Sequence, residues 1–271
     1  MKIILLAGSN ANHRALAGKV HELFGLDAVV VERRRRKPLS FQKKLRKLAD
    51  RIRFYPIDRA WRKLMQYYQE HYPNWPDTEL LEVENVNDSK VIEFVKAQNP
   101  ELVMVSGTRI LRSPILQALK PIARIINLHT GISPYVKGGP NCTNWCLAND
   151  TFHLIGNTVM WIDEGIDTGN LIATERTKFN GDESLSDIHL KVMEHGHDLY
   201  LRAVEKVLVE PTQCKNIHQN EIAEGDLFLT RMWNRRTRKA LLQNIENQRF
   251  SKVVNSIHYQ KRAEAIQLVE L

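Results

Sequence analysis

Asn127 and His129 stand two positions apart at the end of an apolar run that begins at Ile125 and passes into a Gly- and Pro-rich loop. Alternate residues of a strand project from the same face of a sheet, so the two side chains are expected to lie together. An amide and a protonated imidazole can each donate a hydrogen bond to an oxygen that becomes negative during acyl transfer. By itself the pair is also compatible with a structural histidine, which general burial statistics favour.

The elements that must position this pair alternate between strands and helices. Short apolar runs at 2–7, 28–31, 102–105 and 125–129 have the composition of buried parallel strands, and helical segments separate them. We therefore predict an α/β fold that is Rossmann-like and doubly wound, with a mostly parallel sheet, a basic helical insertion and a small C-terminal extension. The predicted boundaries are 1–209 for the main domain, with the insertion at about 33–85, and 210–271 for the extension.

Composition restricts the class of protein. Of 271 residues, 43% are apolar and 26% charged, which is typical of a folded globular chain and argues against disordered and disulfide-rich classes. Cys142, Cys146 and Cys214 are too few to cross-link such a chain, so we expect a cytoplasmic, reducing location and no disulfide. Cys142 and Cys146 are predicted core thiols rather than zinc ligands, and no metal is expected. The N-terminal apolar run is shorter than a signal peptide, and no run of about 18 apolar residues predicts a membrane span.

The net charge of +8 is concentrated between Arg33 and Lys63, where fourteen Lys and Arg against two Asp give a local +12. One interpretation is a solvated helical face with apolar residues on the other side, at Phe41, Leu45, Leu48, Ile52 and Tyr55. The other is a contact surface for an anionic partner such as a nucleotide diphosphate, RNA or a membrane surface. The sequence leaves both open.

The run from Asn127 to Gly139, followed by Trp145, by 156–159 and by 163–169, resembles the formyltetrahydrofolate-dependent formyltransferase family. The resemblance covers about residues 2–207 apart from the basic segment and is strong over 102–172. It implies N10-formyltetrahydrofolate as co-substrate, and it implies that Asn127, His129 and Asp167 correspond to the family's catalytic Asn, His and Asp. Asn127 and protonated His129 would then donate to the developing oxyanion, while Asp167 would favour the imidazolium and hold a water that relays the proton of the amine.

The resemblance also implies binding residues on either side of this trio. The predicted folate-binding set comes from the loop after residue 106 and the turn after residue 162, and comprises Thr108, Arg109, Ile110, Leu111, Asp163, Gly165 and Ile166. The predicted acceptor-binding set comprises Gly8, Ser9, Asn10, Lys137 and Gly138. The turn at 8–10 could present backbone N–H groups to a phosphate or be only a tight turn, and it has one Gly where the glycinamide ribonucleotide branch has a Gly-rich run. His189, His195 and His197 are predicted surface residues of a long helix that begins at Ser184.

Three acceptors fit the resemblance: a nucleotide-linked aminosugar, glycinamide ribonucleotide and methionyl-tRNA. The insertion and the C-terminal residues exceed what the glycinamide enzymes carry, and the tail lacks the alternating strands of the barrel in the methionyl-tRNA enzymes. We therefore expect an N-formyltransferase acting on a nucleotide-linked aminosugar for bacterial surface polysaccharide (O-antigen) synthesis. It would bind small molecules, with no obligate nucleic acid and no membrane span, and homodimerisation is left open. The non-enzymatic alternative is an RNA- or membrane-associating module on a transferase-like fold.

Overall fold

The computed structural model of the protein describes residues 1–35, 38 and 40–271, so Arg36 and Lys37 of the predicted basic run lie outside the described residues. Seven strands form a central sheet in the order β3-β2-β1-β4-β5-β7-β8, and β6 pairs with β9 separately. The strands are β1 (Ile3–Gly8), β2 (Ala28–Glu32), β3 (Glu79–Val83), β4 (Leu102–Ser106), β5 (Arg124–His129), β6 (Val136–Gly138), β7 (Gly156–Trp161), β8 (Leu171–Arg176) and β9 (Asp226–Phe228).

Parallel pairing dominates the central sheet. The five strands from β3 to β5 run parallel, with Leu5 of β1 opposite both Val29 and Met104, while β7 and β8 add antiparallel pairs at the other side. Every residue of β1, β2 and β4 is buried, as expected for strands covered on both faces. The predicted α/β, Rossmann-like, mostly parallel architecture is confirmed.

Helices cover both faces of this sheet. Alternate β1 residues pack against α1 (Ala11–Phe24) and α7 (Leu185–Val209) on one face and against α4 (Ser89–Gln98) and α5 (Ser113–Leu119) on the other. Tyr200 of α7 connects β4 and β5, because its hydroxyl donates to the Ile126 carbonyl at 2.8 Å and accepts from the Val105 amide at 2.9 Å. The helices are α1 (Ala11–Phe24), α2 (Phe41–Arg53), α3 (Tyr55–His71), α4 (Ser89–Gln98), α5 (Ser113–Leu119), α6 (Cys142–Ala148), α7 (Leu185–Val209), α8 (Arg235–Glu246), α9 (Arg249–Val253) and α10 (Ile257–Glu264).

The predicted insertion at 33–85 is helical only in part. Helices α2 and α3 form its centre, and α3 buries Leu64 and Tyr68 against α1 and α7. The segment then returns to the sheet as β3, which pairs in parallel with β2. The sequence pattern missed β3 because it is an edge strand with exposed residues at Glu79, Leu80 and Glu82, so it lacks the apolar run of its neighbours.

The residues after 209 pack closely on the preceding part of the chain. Helices α8 and α9 form an apolar cluster with α6 through Leu241 and Phe250. The Val269 amide donates to the Thr174 hydroxyl at 2.7 Å, which returns the chain to the edge of the sheet at β8. Among the described residues, no helix combines the length and the apolar character needed to cross a membrane.

The prediction for the α7 histidines is wrong in two of three cases. His189 and His197 are buried, with 3% and 1% exposure, whereas His195 is half-buried and contacts Glu175 at 3.0 Å. The error arose because α3 covers the side of α7 that the sequence pattern assigned to solvent, and His189 meets Trp61 of α3 edge-on. Burial lowers the pKa of His189 to about 4.

Candidate active site

The histidine predicted at the end of β5 is buried between two hydrogen-bond acceptors. His129 Nδ1 lies 3.2 Å from Asp167 Oδ2, and Nε2 lies 3.0 Å from the Val136 carbonyl oxygen. A neutral imidazole has one N–H, whereas imidazolium has two. A neutral ring can therefore donate to only one of the two acceptors at a time, and neither ring nitrogen is left without a protein partner.

Asp167 is held by its backbone as well as by its side chain. Its φ of 52° lies in the left-handed region, which non-glycine residues adopt mainly where the surroundings enforce it. Oδ2 also accepts a hydrogen bond from the Gly138 amide at 2.8 Å, while Oδ1 has no hydrogen-bond partner among the described residues. One carboxylate oxygen is thus fixed, and the other is available to a ligand or water.

The buried side chain of Gln219 clamps the loop that carries Asp167. Its amide nitrogen donates to the carbonyl oxygens of Asp167 and Gly169, each at 2.8 Å. Gln219 belongs to the C-terminal extension and is 3% exposed. The sequence gives no signal for this role, because Gln219 lies in an irregular segment far along the chain from Asp167.

Asp163 organises the same loop from its other end. Its Oδ1 accepts hydrogen bonds from the Gly165 amide at 3.0 Å and the Thr168 hydroxyl at 2.7 Å. Such a side-chain-to-backbone pattern is typical of Asp in tight turns. The carboxylate predicted to contact folate is therefore engaged in shaping the turn.

The loop after β5 approaches His129 so closely that it needs a glycine. A Cβ on Gly131 would lie 2.5 Å from His129 Nε2. Thr158 of β7 fixes this approach, because its hydroxyl donates to the Gly131 carbonyl at 2.6 Å and accepts from the Ser133 amide at 2.9 Å. The Gly-Ile-Ser run therefore serves to seat His129.

The two buried cysteines are not nucleophiles. Cys142 Sγ lies 3.6 Å from His129 Nε2, but burial, together with the neighbouring Cys146 thiol and Asp167 carboxylate, raises its pKa well above the usual value. Burial also raises the pKa of Cys146 to about 12. Both are buried and uncharged, in agreement with the predicted core thiols.

A small pocket of about 110 Å³ lies between the loop after β4 and the loop that carries Asp167. All seven predicted folate-binding residues border it: Thr108, Arg109, Ile110, Leu111, Asp163, Gly165 and Ile166. Asn127 and Asp167 border it too, whereas His129 stands behind Asp167. The structure therefore places the predicted folate-binding set around one cavity, although their role as ligands stays a prediction.

Glu32, at the end of β2, holds the pocket residue Arg109 in place, a role that the motifs did not reveal. It accepts hydrogen bonds from the Arg109 amide at 2.9 Å and the Val86 amide at 3.0 Å, and it pairs with the Arg109 and Arg34 guanidinium groups. Burial opposes its charged form, but the hydrogen bonds from Val86, Arg34 and Arg109 outweigh it and lower the pKa. The one available signal was a carboxylate at the carboxyl edge of a parallel strand.

The predicted acceptor-binding residues are dispersed. Gly8 makes a close contact between turns, since a Cβ there would lie 2.8 Å from the Gly107 carbonyl, while Ser9 and Asn10 are exposed before α1. The Gly138 amide is occupied by Asp167, and Lys137 pairs with β9. None of the five borders the small pocket.

A larger cleft lies on the α6 side of the site, between the insertion and the C-terminal extension. Its volume is about 1170 Å³. Its lining includes Asn141 and Asn144, which lie one and two positions along the chain from Cys142, the residue that contacts His129. Asn144 is buried, and its side-chain oxygen has no hydrogen-bond partner among the described residues. The walls carry four cations and three aromatic rings: Lys47, Arg51, Arg62, Arg238, Tyr55, Trp61 and Trp233.

Comparison with known proteins gives one family and several relatives. A family model described as formyl transferase matches residues 5–204. A methionyl-tRNA formyltransferase from Clostridium tetani is 30% identical over 134 residues, which cover 48% of this chain and 42% of that protein. The chain thus aligns with less than half the length of this curated relative.

Solved structures show the same fold at low sequence identity. A sugar N-formyltransferase from a Shewanella species has a TM-score of 0.58 at 15% identity, with 90% of this chain and 88% of that chain covered. An N-formyltransferase from Helicobacter canadensis, in complex with folinic acid and dTDP-3-aminofucose, has a TM-score of 0.56 at 15% identity, with 90% and 81% covered.

Proposed function

This chain belongs to the formyl transferase family, and from that premise we propose that it transfers a formyl group from N10-formyltetrahydrofolate to the amine of a nucleotide-linked aminosugar. The observation that carries the proposal is the arrangement of Asn127, His129 and Asp167. Asn127 and Asp167 border one pocket, and His129 contacts Asp167 from behind at 3.2 Å. Formyl transfer needs donors for a developing oxyanion and a proton acceptor for the amine, and this trio offers both.

The small pocket suits one end of a folate. Its volume of about 110 Å³ is below the ~300–1000 Å³ of cavities that enclose a whole drug-sized ligand. It is lined by residues of two loops, and Ile110 and Leu111 supply apolar side chains there. When bound, the co-substrate would supply the activated formyl carbon, and the backbone groups would pair with its ring.

The residues of the trio divide the work between charge and proton. The Asn127 amide would donate to the formyl oxygen, a contact whose loss typically costs about a hundredfold or more in rate. Asp167, with Oδ2 fixed by Gly138 and His129, would take the proton of the attacking amine through Oδ1 or a water. For His129 to donate to the oxyanion, Nε2 would have to leave the Val136 carbonyl, so its fixed role is to hold Asp167.

The larger cleft supports a nucleotide-bearing acceptor. Phosphate oxygens favour arginine and lysine partners, and a flat base favours aromatic faces, and the cleft supplies both types of side chain. The cleft-lining residues Asn141 and Asn144 lie close in the chain to Cys142, which contacts His129, so we place the amine of the acceptor at this end of the cleft. We further propose that the protein acts in the cytoplasm and that its product serves surface polysaccharide synthesis.

Methionyl-tRNA is the second candidate acceptor. The sequence relative at 30% identity carries that name, and the basic segment has a local charge of +12 that would suit RNA. The combination of cations and aromatic rings in one cleft of about 1170 Å³ favours the smaller acceptor.

Two measurements test the proposal. Nucleotide aminosugars, glycinamide ribonucleotide and methionyl-tRNA are each incubated with N10-formyltetrahydrofolate, and a mass gain of one formyl group is expected only on a nucleotide aminosugar. Folinic acid binding is measured by calorimetry, where Ile110→Asp should weaken affinity about tenfold by placing a charge in an apolar cover, while Ile122→Asp, at another exposed site, should not. Equal effects of the two variants would contradict the folate assignment.

A further inference from the structure

Helix α2 presents its apolar residues to solvent instead of to the core. Phe41, Leu45, Leu48 and Ile52 are 74%, 52%, 55% and 73% exposed. At about 100° per residue these four side chains fall within an arc of about 60°. The charged face of α2 is exposed, as the first sequence interpretation expects. The apolar residues on its other side are exposed too, because no described core residue covers them.

The polar side of α2 is what attaches the helix to the protein. Asp50, which lies on the opposite side of the helix from the apolar stripe, pairs with Arg235 at 2.7 Å and Arg238 at 3.4 Å. The adjoining Phe54 is buried, with the Arg238 guanidinium 4.5 Å from the centre of its ring. Anchored in this way, the helix directs its apolar stripe outward.

Six cations of α2 have no carboxylate within ion-pair distance among the described residues: Lys43, Lys44, Arg46, Lys47, Arg51 and Arg53. At about 100° per residue, Lys44 and Arg51 border one side of the stripe and Arg53 the other, whereas Lys43 lies on the side of Asp50. The one acidic residue of the helix, Asp50, is already paired with the C-terminal extension. The free surface of α2 is therefore an apolar strip bordered by positive charge.

We propose that α2 docks on an anionic membrane surface, with Phe41, Leu45 and Leu48 inserted among the lipid headgroups and the flanking cations against phosphates. A helix with an apolar face bordered by Lys and Arg is the type that lies in the plane of the interface. A second copy is a poor occupant, because two α2 helices would bring like charges together. RNA is a poor occupant as well, because phosphate contacts would leave the four apolar side chains in water.

Docking would also position the larger cleft. Lys47, Arg51 and Ile52 contribute both to α2 and to the wall of that cleft. A membrane-bound α2 therefore holds the mouth of the cleft near the lipid surface. The inference concerns where the protein resides and is independent of the proposed acceptor.

The test is flotation of the full chain with vesicles of phosphatidylcholine alone or of equimolar phosphatidylcholine and phosphatidylglycerol. The wild-type protein should bind the anionic vesicles at least about tenfold more tightly than the neutral ones, and added salt should weaken binding. The variants Leu45→Ser/Leu48→Ser and Lys44→Gln/Arg53→Gln should each lower binding to anionic vesicles by about tenfold or more.

Matched variants control for general loss of apolar or charged surface. Leu23→Ser/Ile257→Ser removes two exposed apolar side chains elsewhere, and Lys90→Gln/Lys96→Gln removes two exposed charges from α4; both should bind like wild type. All four variants should have the melting temperature of the wild-type protein, because the substituted side chains are exposed. The proposal is overturned if the wild-type protein does not bind vesicles or binds neutral and anionic vesicles equally. It is overturned as well if the control variants lose as much binding as the α2 variants, or if the wild-type protein forms a dimer that Leu45→Ser/Leu48→Ser dissociates. It is also overturned if α2 binds tRNA and not vesicles.

Discussion

His129 Nδ1 lies 3.2 Å from Asp167 Oδ2, although His129 ends β5 and Asp167 belongs to the loop that follows β7. The same Oδ2 takes the Gly138 amide at 2.8 Å, and the other ring nitrogen faces the Val136 carbonyl. The two side chains therefore form one hydrogen-bonded unit, with the orientation of each fixed by the backbone around the other.

We expect His129→Asn and Asp167→Asn each to lower kcat by about a hundredfold or more, because either change breaks the unit. The double variant should lose much less than the product of the two single losses. Steady-state kinetics on folded variants measures this. Multiplying losses would show that the two residues act separately, and near-wild-type turnover of either single variant would remove it from the reaction.

Gln219→Ala should lower kcat by about tenfold, because displacement of a positioned group by a small distance is costly in catalysis. The loss should appear in kcat rather than in the KM for the acceptor, since Gln219 holds the backbone of Asp167 and does not border either cavity. Asn220→Ala, at the exposed neighbouring position, is the control. Unchanged kcat in a folded Gln219 variant would contradict the positioning role.

The main sheet could be predicted because it rests on local pattern, whereas the trio was assigned through the family resemblance of its motifs and its catalytic role stays a prediction. Buried parallel strands such as β4 are continuous apolar runs, and the capping box at Ser184 and Asp187, seen as a 3.1 Å bond from the Ser184 amide, marked the start of α7. Gln219 and Glu32 could not be assigned, because their roles depend on contacts between segments distant in the chain. The outward stripe of α2 was hidden for the same reason, since periodicity shows an apolar face but not what covers it.

Arg51→Gln/Arg62→Gln should raise the KM for the nucleotide aminosugar about tenfold and leave the KM for the folate unchanged, because both charges line the larger cleft and neither borders the small pocket. The matched control is Arg33→Gln/Arg35→Gln, since those residues pair with Glu82 and Glu84 away from the cleft. Initial rates with both substrates varied at fixed ionic strength decide the matter. An equal rise in the KM for the nucleotide aminosugar in the two double variants would show that the effect comes from the overall charge of the protein.

Acid should destabilise the fold through its buried histidines. Burial lowers the pKa of His189 and His13 to about 4 from 6.5, so below the ordinary value the unfolded chain binds protons that the folded chain excludes. The free energy of unfolding is therefore highest above about pH 6.5 and decreases as the pH falls toward 4. At pH 5 the decrease is up to about 2 kcal/mol for each of these two histidines. Urea unfolding at about pH 6.5 and about pH 5 should show a smaller decrease in the free energy of unfolding for His189→Gln than for the wild-type protein. The exposed His71→Gln variant should match the wild type. An identical drop in both variants would exclude His189 as a source.

Competition for a labelled formyl group tests the central claim most directly. Wild type and Asp167→Asn are each given N10-formyltetrahydrofolate labelled in the formyl carbon, with equal amounts of a nucleotide aminosugar, glycinamide ribonucleotide and methionyl-tRNA, and the label in each acceptor is followed with time. The account predicts that wild type labels the nucleotide aminosugar and that Asp167→Asn does so at least about a hundredfold more slowly. Label in methionyl-tRNA or glycinamide ribonucleotide instead, or equal rates for the two proteins, would contradict it.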